Sequence, residues 1–266
     1  MSRVRLTKRM EFAAAHRYQN DAWDAGQNRA KFGACNNLPG HGHNYLVEVT
    51  VAGEVDECTG MVVNLYDLKE VLKQVLEEFD HKHLNLDTPY FATCIPTTEN
   101  IARVLWRLLA QRSEIGTLEK IRLFEDEDLF AEVAAEDMTD RGTGNGRASV
   151  TRQYEFSASY PVSSEGGGKA HAGHNYLLQV TVQGDINPET GMVTDLTVLD
   201  RLVRDRVVQR FHRNDLSQLP ELASLVPTGE HLVRVIWQLL ANSISEGRLR
   251  CARLIESPGC TFEYGE

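Results

Sequence analysis

Residues 4–15 form a β-prone opening, and Tyr45 to Val51 alternates with β-branched residues on one side before a Gly53-Glu54-Val55-Asp56 turn. A period of two buries one face of a strand, so both segments are predicted strands. The period then lengthens. Leu65, Leu68, Val71, Leu72, Val75, Leu76 and Phe79 recur in steps of three and four, with Asn64 placed to cap the first turn. Ile101, Val104, Leu105, Leu108 and Leu109 repeat that spacing after Thr97-Thr98-Glu99-Asn100, which predicts a second amphipathic helix. Two short strands, residues 118–124 and 129–134, follow around the acidic turn Glu125-Asp126-Glu127-Asp128. The order ββααββ predicts an α+β unit, an antiparallel sheet with both helices on one face. A four-stranded sheet leaves two open edges, and pairing between copies or subunits closes them into a barrel, so an oligomer is expected.

The pattern occurs twice. His43-Asn44-Tyr45-Leu46-Val47-Glu48-Val49-Thr50-Val51 returns as His174-Asn175-Tyr176-Leu177-Leu178-Gln179-Val180-Thr181-Val182, and Thr59-Gly60-Met61-Val62 returns as Thr190-Gly191-Met192-Val193. Pro96-Thr97 with Glu99, Trp106 and Glu125 return as Pro227-Thr228 with Glu230, Trp237 and Glu256. The chain is therefore a tandem duplication. Residues 135–149 between the copies hold three glycines and little apolar content, which predicts a flexible linker. The expected domains are residues 1–134 and 150–266.

Composition changes this picture little. At 266 residues, with 42% hydrophobic and 25% charged residues, the chain has an ordinary globular composition and room for two domains. No apolar run approaches bilayer-spanning length, and no signal-type block follows Met1-Ser2-Arg3-Val4-Arg5, so a cytoplasmic location and no membrane partner are expected. Five cysteines without a CxxC pair argue against a disulfide framework and a cysteine zinc knuckle. The net charge of −10 is shared by both halves, so neither carries a nucleic-acid footprint.

The chemistry concentrates in Cys35-Asn36-Asn37-Leu38-Pro39-Gly40-His41-Gly42-His43-Asn44-Tyr45. Residues two apart on a strand share a face, so His41 and His43 can close on one ion, and His16 at the end of the first strand is the candidate third ligand. Three histidines with an open fourth position form a catalytic zinc pattern; ordinary surface histidines are the alternative. Cys35 is a candidate base if its thiolate is stabilised, or else a small buried hydrophobe. Asp80-His81 reads as a carboxylate fixing an imidazole, or as a helix end interacting with the dipole. Glu125 sits where a strand meets a turn. Thr98 and Glu99 stand at a predicted helix start.

Phe12-Ala13-Ala14-Ala15-His16-Arg17, Cys35 with His41-Gly42-His43-Asn44-Tyr45, Gly60-Met61-Val62, Asp80-His81-Lys82, Thr97-Thr98-Glu99-Asn100 and Phe124-Glu125 together resemble the 6-pyruvoyltetrahydropterin synthase family across the whole first copy. The resemblance implies the tunnelling fold, in which ββααββ sheets join in threes as a twelve-stranded barrel and two barrels stack. It implies zinc on His16, His41 and His43, a relay of Cys35, Asp80 and His81, a pterin anchored by Glu125, and Thr98 and Glu99 at the pterin pocket. The implied substrate is 7,8-dihydroneopterin triphosphate, which loses triphosphate. Removing a proton beside a hydroxyl needs help from a Lewis acid and a base. Arg17, Arg29 and Lys31 are candidates for holding the triphosphate. Five residues separate Cys35 from His41, a spacing similar to the pyruvoyl-forming enzymes rather than the carboxy-forming group of the deazapurine pathway, which typically has three. A 6-carboxytetrahydropterin synthase is the alternative, and a zinc-stabilised binding or assembly protein the non-enzymatic one. A trimer of tandem chains imitates the family's hexamer.

The second copy departs where the chemistry is costly. Tyr160 replaces His16, Ala172 replaces His41, His171 falls on the opposite strand face, and nothing replaces Cys35. Aligning Phe211 and Leu216 with Phe79 and Leu84 puts His212 and Arg213 in place of Asp80-His81; an ungapped alignment pairs Phe211 and His212 with them instead. No independent activity is expected there, although Glu230 and Glu256 persist, as a vestigial pocket or as architecture.

Overall fold

The computed structural model describes residues 3–138, 146–163 and 169–265. They divide into two compact units, Met1–Val150 with Asp185–Val193 and Thr151–Gly184 with Thr194–Glu266. An internal stretch of the second repeat, Asp185–Val193, thus belongs to the first unit.

In the first unit, β1 (Val4–His16) is followed by α1 (Ala25–Phe32), β2 (His41–Gly53), α2 (Leu65–Leu76), β3 (Lys82–His83), the single turn α3 (Leu84–Asp87), α4 (Thr98–Leu109), β4 (Thr117–Phe124) and β5 (Leu129–Ala134). The sheet order is β3-β1-β2-β4-β5. All pairs are antiparallel except the two-residue β3, which runs parallel to β1. Helices α2 and α4 pack together and lie on the strands. Leu68, Leu72, Ile101 and Leu105 on the helices and Val47, Val49, Ile121 and Val133 on the strands are all almost inaccessible. Asn64 caps α2 through Tyr66 N–H and Thr97 caps α4 through Asn100 N–H, each cap contributing about 1 kcal/mol.

The predicted ββααββ order holds, with α1 added between the first two strands and the short β3 and α3 added between the two helices. Helix α1 lies inside the segment between the first two strands, held at its start by a reciprocal capping box of Asp24 and Gln27. The Asp-x-x-Gln signature is present in the sequence, but the helix carries little apolar periodicity. Strand β2 also begins four residues earlier than the alternation from Tyr45 suggests, because His41 and Gly42 pair with His16 and Ala15.

The second repeat follows the same plan with β6 (Arg147–Ser163), β7 (Lys169–Asp185), α5 (Leu196–Val203), the single turn α6 (Gln209–Phe211), α7 (Gly229–Ala241), β8 (Arg248–Ser257) and β9 (Cys260–Gly265). A register shift between Thr50 and Val51 against β4 recurs between Thr181 and Val182 against β8, so the duplication extends to an irregularity of the ladder. Of the predicted linker, residues 139–145 lie outside the described residues. Its ends are structured: Ala135–Met138 forms a 3-10 turn with Asp137 buried, and Arg147 to Ser149 already belongs to β6.

Candidate functional site

The site begins with strand register. His16 lies directly opposite His41, and Ala14 opposite His43, so His16 and the two histidines of β2 share one face. Their rings stand 4.7, 4.9 and 5.1 Å apart by centroid. Gly40 makes this approach possible: a Cβ there, at φ +115°, would lie 2.5 Å from the His16 carbonyl oxygen. His16 is completely buried, and its Nδ1 stands 2.9 Å from the Pro96 carbonyl oxygen, to which it donates. Its Nε2 therefore presents a lone pair, 3.2 Å from His41 Nε2. Burial lowers the His16 pKa to about 3, and burial followed by the nearby His43 lowers that of His41, so both are neutral imidazoles at neutral pH.

Glu125 completes the cluster. Ligand atoms of His16, His41, His43 and Glu125 all lie within 4.8 Å of one another. His43 Nε2 is buried with no hydrogen-bond partner and stands 3.5 Å from Glu125 Oε1. An orphaned buried nitrogen beside converging lone pairs and a carboxylate fits a cation, so this group can hold a metal ion. Burial raises the Glu125 pKa, opposed by the Thr98 hydroxyl, by His43 and by the Tyr18 hydroxyl. Thr98 and Tyr18 both donate to Oε2, the latter at 3.4 Å.

Cys35 is partly buried against the apolar cluster of Tyr18, Phe32, Ile95 and Met192. Its carbonyl accepts from Tyr18 N–H at 2.9 Å, which ties its loop to the end of β1. The protein's own groups act on this thiol in the upward direction. Burial first, and the charge of Glu125 second, raise its pKa above 9.0.

Glu99 is buried too, and its Oε1 accepts from Val193 N–H at 3.0 Å. Burial moves its carboxyl from 4.5 up to about 7, against the pull of the Val193 amide. The folded chain then binds a proton that the unfolded chain has released. Stability linked to Glu99 is full below about 4.5 and lost as pH rises through about 7. Thermal stability is expected to decline across that window. Glu99→Gln keeps an acceptor but cannot titrate, so it should flatten the decline; an unchanged slope would exclude Glu99 as its source.

The structure does not bring Asp80 and His81 to this cluster. Asp80 Oδ1 accepts from Ala13 N–H at 2.8 Å on the edge of β1 that β2 does not occupy, and its Oδ2 lies 2.9 Å from His81 Nδ1. The Ala13 amide and then His81 lower the Asp80 pKa. Among the described residues no hydrogen bond or ion pair joins this pair to Cys35. Arg17 Nε donates to the Asn36 carbonyl at 2.8 Å and Arg29 to Asn37 Oδ1 at 2.7 Å, so both brace the Cys35 loop. Sequence reasoning missed three residues of the site. Tyr45, whose hydroxyl lies 3.2 Å from His16 Nδ1, continues the His-x-His face of β2 and was legible there; Tyr18 and Met192 arrive from outside any strand period.

In the second unit Tyr160, His174 and Glu256 occupy the equivalent places. Tyr160 Oη lies 3.2 Å and Glu256 Oε1 3.5 Å from His174 Nε2, while His171 turns away to Asp215. Gly229 stands where the first unit has Thr98, and a Cβ there would lie 2.1 Å from Phe262, which stands where the first unit has Ala131. The hydroxyl that orients Glu125 is thus absent, and an aromatic ring fills its space. Ser157 N–H donates to His212 Nδ1 and Arg213 N–H to the Ser157 carbonyl, as Ala13 and Asp80-His81 do in the first unit. Both His81 and Arg213 have positive φ, so the gapped alignment is the structural one.

The family described as 6-pyruvoyl tetrahydropterin synthase matches residues 5–136 and again 149–266. The 6-pyruvoyl tetrahydrobiopterin synthase of Homo sapiens is 42% identical over 126 residues, 47% of this chain and 87% of that protein. A putative 6-carboxy-5,6,7,8-tetrahydropterin synthase of Archaeoglobus fulgidus is 37% identical over 109 residues, 38% and 88% of the two chains. The solved 6-pyruvoyl tetrahydropterin synthase of Caenorhabditis elegans is 34% identical, covering 51% of this chain and 97% of its own, with a TM-score of 0.49. No helix among the described residues is long and apolar enough to cross a membrane.

Proposed function

This chain belongs to the 6-pyruvoyl tetrahydropterin synthase family, whose members are lyase-type enzymes, and from that premise we propose that its first copy converts 7,8-dihydroneopterin triphosphate to 6-pyruvoyltetrahydropterin with loss of triphosphate. The convergence of His16, His41, His43 and Glu125 beside Cys35 carries this reading. Zinc is the cation we infer, from three imidazoles on a stiff pair of strands, those of His16 and His41 held neutral by burial. Bound there, it would supply Lewis acidity to the substrate's side-chain oxygens and a positive charge opposing both causes of the raised Cys35 pKa.

The chain's own residues do the rest. Thr98 and Tyr18 occupy Glu125 Oε2, which leaves Oε1 to accept from the ring N–H or amino group of a pterin, with the three imidazoles holding the metal. Cys35, as thiolate, takes a proton from a side-chain carbon. The electron pair of that C–H bond forms the new double bond, and the C–O bond to triphosphate breaks. Asp80 and His81 serve as the relay that returns the proton. Because they lie on the far edge of β1, we infer that the pair serves the Cys35 of another copy, and that the chain self-associates.

Incubating metal-loaded protein with 7,8-dihydroneopterin triphosphate tests the reading. A pyruvoyl pterin is expected. A carboxypterin with released acetaldehyde would assign the chain to the carboxy-forming alternative instead, and an unchanged substrate would leave a binding protein.

A further inference from the structure

The duplication places one turn in two environments. In the first repeat Gly60, at φ +69°, has no atom within 4 Å of where a Cβ would stand, and Met61 is 42% exposed. In the second repeat the same turn is made: Gly191 N–H donates to the Asn187 carbonyl at 2.7 Å, as Gly60 N–H does to Asp56 at 2.8 Å. Yet the second turn is enclosed by the first unit, to which residues 185–193 belong. A Cβ at Gly191, at φ +73°, would lie 2.8 Å from Asn100 Nδ2 and 3.0 Å from Thr97 Cγ2. Thr97 Oγ1 donates to the Gly191 carbonyl at 2.6 Å, and Val193 N–H donates to Glu99 Oε1 at 3.0 Å. Met192, 8% exposed, packs with Tyr18, Phe32 and Ile95, the cluster on which Cys35 rests.

These contacts meet the site from two sides. Tyr18 touches Met192's cluster and also donates to Glu125, while Glu99 and Thr98 are consecutive residues at the start of α4. We propose that the turn Asn187–Val193, supplied by the repeat that has lost its own metal ligands, is a wall of the first unit's pterin pocket, with Met192 and the Val193 amide as its positioning groups. Met192 sets the place of Tyr18 and the Cys35 loop, and the Val193 amide holds Glu99 in one orientation. The second copy therefore works through the first copy's site, a role independent of any chemistry of its own.

This inference rests on the pterin reading above, and neopterin, a pterin without the leaving group, probes it in the whole metal-loaded chain. Hydrogen exchange in the unaltered protein is expected to slow several-fold across residues 187–195 when neopterin binds, and to stay unchanged across the exposed counterpart, residues 56–64. Met192→Ala is expected to weaken neopterin binding roughly tenfold, the scale on which a pocket contact discriminates, with metal content unchanged. Met192→Leu should restore it, and Met61→Ala should have no effect. Neopterin binding with no protection of residues 187–195, or a Met192→Ala chain binding neopterin as the parent does, overturns the inference while leaving the pterin reading intact. A parent chain that binds no neopterin sinks the pterin reading first, and the inference with it.

Discussion

Replacing His41 with alanine is expected to remove the metal from the chain and to lower turnover by roughly 10³-fold or more, since a Lewis acid supplies several kcal/mol of transition-state stabilisation. The fold should survive, because His41 is only partly buried and sits at the end of β2, away from the helix-covered core. His16→Ala should lose the metal too, with a larger stability loss, because His16 is fully buried and donates to the Pro96 carbonyl. His174→Ala is the contrasting variant. Its imidazole has a tyrosine and a carboxylate for neighbours and, among the described residues, belongs to no metal-capable cluster, so the metal should stay at one ion per chain. Elemental analysis with circular dichroism decides the matter: two ions in the parent chain, or one lost in His174→Ala, would overturn the assignment of the two repeats.

The second large effect concerns proton transfer. Cys35→Ala should retain metal and neopterin binding but lose about 10²- to 10⁴-fold in turnover, the range for removal of a positioned base. His81→Ala should lose turnover as well, although His81 is highly exposed and makes no contact with Cys35 among the described residues. Ala13, which holds Asp80, precedes His16 by three residues, about 10 Å along the strand. If the pair acts on another copy's thiol, a mixture of the two inactive variants recovers activity, because some sites combine an intact Cys35 with an intact His81. Mixing that restores nothing, with each variant inactive alone, would remove the relay across copies. Full turnover in Cys35→Ala would remove the thiol as the base.

Much of this was legible along the chain because periodicity and ligand spacing are local properties. Alternation placed Tyr45, Val47, Val49 and Val51 on one face, and steps of three and four placed Leu68, Leu72, Ile101 and Leu105 on the inner faces of their helices, and all eight are buried. His41 and His43 had to share a face once they lay on a strand. The loss of ligands in the second copy could likewise be read position by position. Helix α1 escaped because its hold on the fold is a capping box and one buried ring, Phe32, without an apolar stripe to mark it.

What the sequence determined by itself was the duplicated α+β plan, the three imidazoles and the vulnerability of the second repeat. Only the tertiary structure decided the depth of His16, the upward push on the Cys35 thiol, the separation of Asp80-His81 from it, and the insertion of Met192 beside Tyr18. Periods of two and 3.6 report which way a side chain faces along its own element. Burial, a thiol's pKa and a partner 94 residues away, as Val193 is from Glu99, depend on which elements meet, and packing alone sets that.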